Sequence, residues 1–219
     1  MVMYRKPLAA LAAAAVAVTL AGCGGGTTSG NRNNGSSEGK AGGTLNYLTF
    51  RPTEHLDPQR TYIGRDITNM NRLAYRGLVT YPITTDTKKG TTPVPDLATD
   101  TGTMSKDAKT WSFTLKDGVK WQDGKPITCE DLKYGFSRGF ATDVITGGPN
   151  YALAYLDVPN KNGLPVYNGP YKKAGQAEFD KAVTCEGKKI TYHFNKPWAD
   201  FPLAIASLRS FAPYRKGVR

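Results

Sequence analysis

From Thr110 onward the chain alternates. Trp111, Phe113 and Leu115 are apolar, and Ser112, Thr114 and Lys116 between them are polar, the period of a strand with one buried face. Asp117-Gly118 is a turn signal, after which Val119 and Trp121 resume the apolar face and predict a second short strand. Asp123-Gly124-Lys125-Pro126 turns the chain again. Thr128, with Asp131 three residues on, is a capping-box pattern that opens a helix, and Leu132 and Phe136 give that helix its inward stripe. Upstream, residues 45–50 read as a strand. Residues 65–76 read as a helix with Ile67, Met70, Leu73 and Ala74 at helical spacing and Gly77 at its C-terminal cap. Residues 78–81 predict a short strand and 84–92 a polar loop. Downstream, 141–176 is rich in Gly, Pro and Asn and has little periodicity. Residues 179–185 and 189–194 then read as paired strands across Glu186-Gly187, and 197–209 as a loop leading into a helix.

The first residues follow a different rule. Arg5 and Lys6 precede an apolar run over 8–20, which ends in Leu20-Ala21-Gly22-Cys23. A basic start, a short apolar stretch and small residues before a cut describe an export leader over 1–22. The run is 13 residues, short of the roughly 20 that span a bilayer. Leu-Ala-Gly-Cys resembles a bacterial lipobox, which implies acylation of the Cys23 thiol and a lipid anchor on the extracytoplasmic face of the membrane. Residues 24–43, dominated by Gly, Ser, Thr and Asn, hold no large apolar side chain and are expected to act as a flexible tether over 23–43.

The formal charge is +11 over 219 residues, and loss of Arg5 and Lys6 with the leader takes it to about +9. This charge is spread in doublets such as Lys88-Lys89 and Lys188-Lys189 rather than gathered on one face, so no nucleic-acid partner is expected. With Cys23 lipidated, Cys129 and Cys185 remain as an even pair in an oxidising compartment. A disulfide is expected, two buried free thiols being the alternative. No Cys-x-x-Cys is present, and His55 and His193 lack ligand spacing, so neither a metal nor a cofactor is expected.

The ordered string of residue types over 110–138 resembles the signature region of the extracytoplasmic solute-binding proteins of family 5, which feed peptide and nickel ABC importers. The likeness extends from about Gly43 to the C-terminus: an opening strand, Leu56-Asp57-Pro58, a helix, Gly77-Leu78-Val79, then Pro95-Asp96-Leu97-Ala98. It implies an α/β, periplasmic-binding-protein-like two-lobed fold of type II, of which this chain carries part of the first lobe and its inserted small domain. The boundaries it suggests are 44–80 for the first part of lobe I, 81–195 for the inserted domain and 196–219 for the return toward lobe I. The family's main anchor for peptide charges is expected beyond residue 219.

The same resemblance implies a monomeric, non-catalytic binder that takes oligo- or dipeptides and hands them to membrane permease subunits. Relatives that carry nickel, haem or oligosaccharide are the alternative ligand classes. Pro52, Thr53, Glu54 and His55 correspond to its ligand-contacting loop, though Pro52 and Thr53 depart from its pattern, and Tyr151 corresponds to a tyrosine that stacks over ligand. A competing reading is a tethered serine hydrolase. Gly135-Phe136-Ser137-Arg138-Gly139 has the form Gly-x-Ser-x-Gly, whose serine needs a strand before it and a helix after it. Here the pattern closes a helix, so Ser137 is expected to be a surface residue at the helix end.

Overall fold

The computed structural model describes residues 42–44, 46–172 and 174–217. The leader, Cys23 and nearly all of the tether lie outside the described residues. Thr49 onward forms one unit, and residues up to Leu48 another, in which 42–44 and 46–48 carry neither helix nor strand.

Along the larger unit a 3-10 turn at Pro58–Arg60 leads to α1 (Gly64–Leu73), β1 (Val79–Thr80), α2 (Thr87–Gly90), β2 (Val94–Pro95), β3 (Thr103–Met104) and β4 (Thr110–Thr114). Then come α3 (Cys129–Arg138), α4 (Tyr151–Tyr155), β5 (Asn160–Lys161), β6 (Leu164–Pro165), α5 (Gln176–Ala182), β7 (Val183–Glu186) and β8 (Lys189–His193). The unit closes with α6 (Phe201–Ser207) and a 3-10 turn at Arg209–Phe211.

The centre is an antiparallel sheet in the order β3-β4-β8-β7. Its register sets Trp111 opposite Tyr192, Phe113 opposite Ile190, and Val183 and Cys185 opposite Tyr192 and Ile190. Residues directly opposite share a face, so one face is apolar while Ser112, Thr191 and Thr184 line the other. An antiparallel sheet with one wet face tolerates this division. Leu132 and Phe136 of α3, Phe179 of α5 and Phe201 of α6 are all buried in the core that includes that apolar face. Phe201 sits 4.9 Å from the rings of both Trp198 and Phe194 and 5.4 Å from Tyr192, measured between centroids.

The capping box forms as its residues direct. Asp131 N donates to Thr128 Oγ1 at 3.2 Å and Thr128 N to Asp131 Oδ2 at 2.8 Å. Cys129, the first residue of α3, is joined by a disulfide to Cys185 of β7 across a Cα separation of 5.9 Å. The bridge pins the start of the helix to the sheet it covers.

Several local expectations differ from the structure. Residues 46–50 are not a strand. Alternation makes a strand only where a neighbour takes up its backbone groups, and the three sheets among the described residues are built from other segments. The 119–121 strand reduces to one bridge, Lys120 to Pro126, bounded on one side by the turn at Gly124 and on the other by Thr128, the cap of α3. Helix α1 stops at Leu73 rather than running to Arg76. Gly77 is not its cap but a close approach: a Cβ there would meet Arg209 Nη1 at 2.6 Å. The polar stretch 84–92 contains a single helical turn capped by Asp86, and 141–176 contains α4 and the β5–β6 hairpin. Most of the strand expected over 179–185 is instead α5, with β7 starting at Val183. The helix wins there because Phe179 and Ala182, three apart, both reach the core. Gln176 bonds Asp180 and Lys181 bonds Glu178 along its outer face.

Candidate functional site

The sequence marks a loop, 52–55, and Tyr151, which lie nearly a hundred residues apart. The fold joins them through the segment between. Asp57 precedes a proline and is extended, and its carboxylate accepts from Gln59 N at 3.0 Å, capping the 3-10 turn. Thr61 leaves that turn with φ −120° and ψ 128°, and Ile63 enters α1 with φ −81° and ψ 114°. Tyr62 thus sits on a short extended stretch between two helical elements. Thr61 Oγ1 donates to His55 O at 3.1 Å, which closes the loop back on itself. Pro52, Thr53 and Glu54 are exposed and His55 is half-buried.

The other wall is Tyr151, first residue of α4. Gly148 lets its segment come close, since a Cβ there would stand 1.9 Å from Gln59 O. The result is a contact between Tyr62 and Tyr151, their hydroxyls 3.3 Å apart and both rings exposed. The hydrogen bond to Tyr62 and that neighbour's charge raise the Tyr151 phenol above its usual 10. The sequence gives Tyr62 no mark of a site residue. Nothing local distinguishes it, and only the fold sets it beside Tyr151.

Asp57 also belongs to a part-buried polar cluster. Arg138 Nη2 donates to Asp57 Oδ2, and Tyr214 Oη donates to Asp57 Oδ1 at 3.1 Å. Burial alone would lower the Arg138 pKa. Its bonds to Tyr171 and Asp57, together with the charge of Asp57, reverse that and hold it above its usual value. Burial first, then the Asp57 charge, pushes the Tyr214 phenol well up. Gln59 is fully buried, and its Nε2 donates to Gly135 O and Ser210 O at 2.7 Å each.

Ser137 is no nucleophile elbow, and it is not the surface residue expected. It lies in the last turn of α3, 3% exposed, with its hydroxyl donating to Tyr134 O at 2.6 Å. The helical carbonyl three residues back offers an acceptor within reach, and the side chain turns inward to take it. His193 belongs to β8, where its Nδ1 stands 3.3 Å from Thr110 Oγ1. The ≈ 350 Å³ cavity it lines, with Asp157, Glu178 and Lys181, does not include Ser137. Among the described residues no cluster of three or more His, Cys, Asp or Glu could hold a metal ion, and no helix is long and apolar enough to cross a membrane. A larger groove of ≈ 600 Å³ runs between Tyr75, Trp121 and Tyr214, with Arg76, Lys120 and Arg215 at its margins.

Comparison with known proteins agrees with this architecture. Residues 92–217 match the model for bacterial extracellular solute-binding proteins, family 5 Middle. The probable D,D-dipeptide-binding periplasmic protein DdpA of Escherichia coli K12 is 41% identical over 83 residues, 38% of this chain and 16% of that protein. The periplasmic murein peptide-binding protein MppA of the same organism is 34% identical over 110 residues, 47% of this chain and 19% of that protein. Among solved structures, the clavulanic acid biosynthesis oligopeptide binding protein 2 superposes with a TM-score of 0.66 at 34% identity, covering 75% of this chain and 28% of that one. The unliganded open form of MppA gives 0.51 at 26% identity, over 74% and 28%. The chain therefore spans under a third of the length of these relatives. Its mixed helices and sheets are part of the type II periplasmic-binding fold. With more than half of its residues inside the family match, the chain belongs to the bacterial extracellular solute-binding proteins of family 5.

Proposed function

We propose that this chain supplies one wall of a peptide-binding cleft in the extracytoplasmic receptor of an ABC importer. The observation that carries the reading is the exposed pair Tyr62 and Tyr151, set beside extended backbone at 61–63. Extended peptides are held through main-chain hydrogen bonds, with side-chain pockets adding selectivity. Tyrosine supplies a broad apolar ring and a hydroxyl at its rim, suited to a mixed peptide surface. The names of the relatives, dipeptide-binding and murein peptide-binding, point the same way.

The surrounding assignments are part of the same proposal. Residues 44–80 and 196–219 belong to lobe I and 81–195 to the inserted small domain. Pro52, Thr53, Glu54 and His55 flank the cleft mouth through their backbone. Cys23 carries lipid that holds the monomeric receptor at the membrane, and permease subunits take the peptide onward. Closure of two lobes over the ligand is the step that signals occupancy.

The test is an NMR titration of isotopically labelled protein with a mixture of di- to pentapeptides. Shifts should centre on Tyr62, Ile63 and Tyr151. Tyr62→Ala and Tyr151→Ala should each weaken binding by about threefold to tenfold, the scale of one lost aromatic contact. Shifts confined to other surfaces, or unaltered affinity in both variants, would defeat the reading.

A further inference from the structure

We propose that Arg138 is a positioning residue for the segment that presents Tyr62, acting through Asp57. The inference rests on the reading of Tyr62 and Tyr151 as the peptide-contacting pair.

Both oxygens of Asp57 are committed. Oδ2 receives Arg138 Nη2, while Oδ1 receives Tyr214 Oη at 3.1 Å and Gln59 N at 3.0 Å. The carboxylate thus caps the 3-10 turn and ties it to α3 and the 213–215 segment together. Arg138 is itself held on other sides. Its Nε donates to Tyr171 Oη at 3.2 Å, and its guanidinium lies 4.1 Å from the centre of the Tyr214 ring. Two donors aimed in different directions from one rigid plane, with a ring beneath it, are geometry that lysine cannot reproduce. The side chains are largely shielded, Arg138 12% and Asp57 24% exposed, so the pair is screened less than a surface ion pair.

Four residues separate Asp57 from Tyr62 in sequence, and the chain between them has little freedom. Gln59 is locked by two carbonyls, Gly148 packs on its backbone, and Thr61 bonds back to His55. A shift of Asp57 is therefore passed along the turn to the extended stretch at 61–63. Loss of Arg138 leaves Asp57 half-buried without its cation and frees the turn at its first residue.

The test uses the whole chain with Arg138→Met, Arg138→Lys and Tyr62→Phe, read by amide hydrogen exchange and by a ¹³Cζ-tyrosine pH titration. In Arg138→Met, exchange over 59–63 should rise by about tenfold or more beyond any change in β4 and β8, since local opening need not follow global stability. The Tyr151 phenol should also titrate lower, toward an ordinary tyrosine, as it does in Tyr62→Phe, where its partner hydroxyl is gone. Arg138→Lys should fall between Arg138→Met and the parent in both readings. The inference is overturned if exchange over 59–63 rises no more than in β4 and β8, or if Tyr151 titrates in Arg138→Met as in the parent. Should Arg138→Met fail to fold, Asp57→Asn removes the same charge pair while keeping a side chain of the same shape, and the same two readings decide. A separate arm adds the peptide mixture to the parent protein. Silence at Tyr62 and Tyr151 there would overturn the peptide reading and the role built on it, while the mechanical coupling of Arg138 to Tyr62 stands or falls on the first two readings.

Discussion

Replacing Cys129 and Cys185 together by serine removes the one covalent tie between α3 and the sheet seen among the described residues. Its size can be worked from the loop it closes. The two cysteines are 56 residues apart. On the chain-entropy model a loop of that length restricts the unfolded chain by about 14 cal/mol/K, or about 4 kcal/mol at 25 °C. The folded side should change little, because the neighbouring packing does not depend on the bridge. Leu132 and Phe136 keep α3 on the sheet, and the Thr128–Asp131 capping box keeps its first turn. Against a total stability of roughly 5–15 kcal/mol for a domain, 4 is a large share. Urea unfolding, followed by circular dichroism and by fluorescence of the buried Trp111 and Trp198, should show a midpoint lower by about 2 M at an m-value of about 2 kcal/mol/M. The melting temperature should fall by roughly 8–16 °C. A midpoint shift under about 0.3 M would refute the reasoning, since the unfolded chain would then gain little freedom from the cut.

Four further outcomes are expected. Ser137→Ala should cost no more than about 1 kcal/mol, the worth of one intrahelical hydroxyl bond. A fluorophosphonate probe should leave the parent unlabelled, and labelling at Ser137 would revive a hydrolase reading. In alkali, the Tyr167 phenol is raised to about 12 and that of Tyr192 higher still, both by burial. Their folded-state pKa values lie above the unfolded value near 10, so their contribution is whole below pH 10 and is lost as pH rises toward 12 and beyond. Absorbance at 295 nm should show these two phenols ionising only as the sheet unfolds, and ionisation at pH 10 with the fold intact would contradict their burial. Finally, Cys23→Ala should move the exported protein out of the membrane fraction, and retention there would remove the lipid anchor from the account.

The parts of the fold legible in sequence are those fixed by neighbours a few residues away. The alternation of Trp111, Phe113 and Leu115 specifies β4 because one face of that strand meets the core. Thr128 and Asp131 specify the start of α3 because their bonds are local. The segment at 179–185 reads as a strand because a seven-residue helix shows barely two turns of periodicity, and Phe179, Ala182 and Val183 suit a strand as well. Residues 45–50 carry a strand pattern, yet strand formation depends on partners that a local pattern does not specify. The candidate site divides in the same way. Tyr151 could be marked from sequence, but Tyr62 gains its meaning from a contact across 89 residues. Arg138 and Asp57, 81 residues apart, are paired only by the fold.

The most direct test of the central claim is photoaffinity labelling of the whole chain with short peptides that carry a diazirine side chain, followed by mapping of the adducts. A peptide held as proposed lies along 61–63 and against Tyr151, whose hydroxyl stands 3.3 Å from that of Tyr62. Adducts should therefore fall within 61–64 and 149–155, and excess unlabelled peptide should suppress them. Adducts concentrated instead in the groove between Trp121 and Tyr214, or labelling that unlabelled peptide does not compete away, would contradict it.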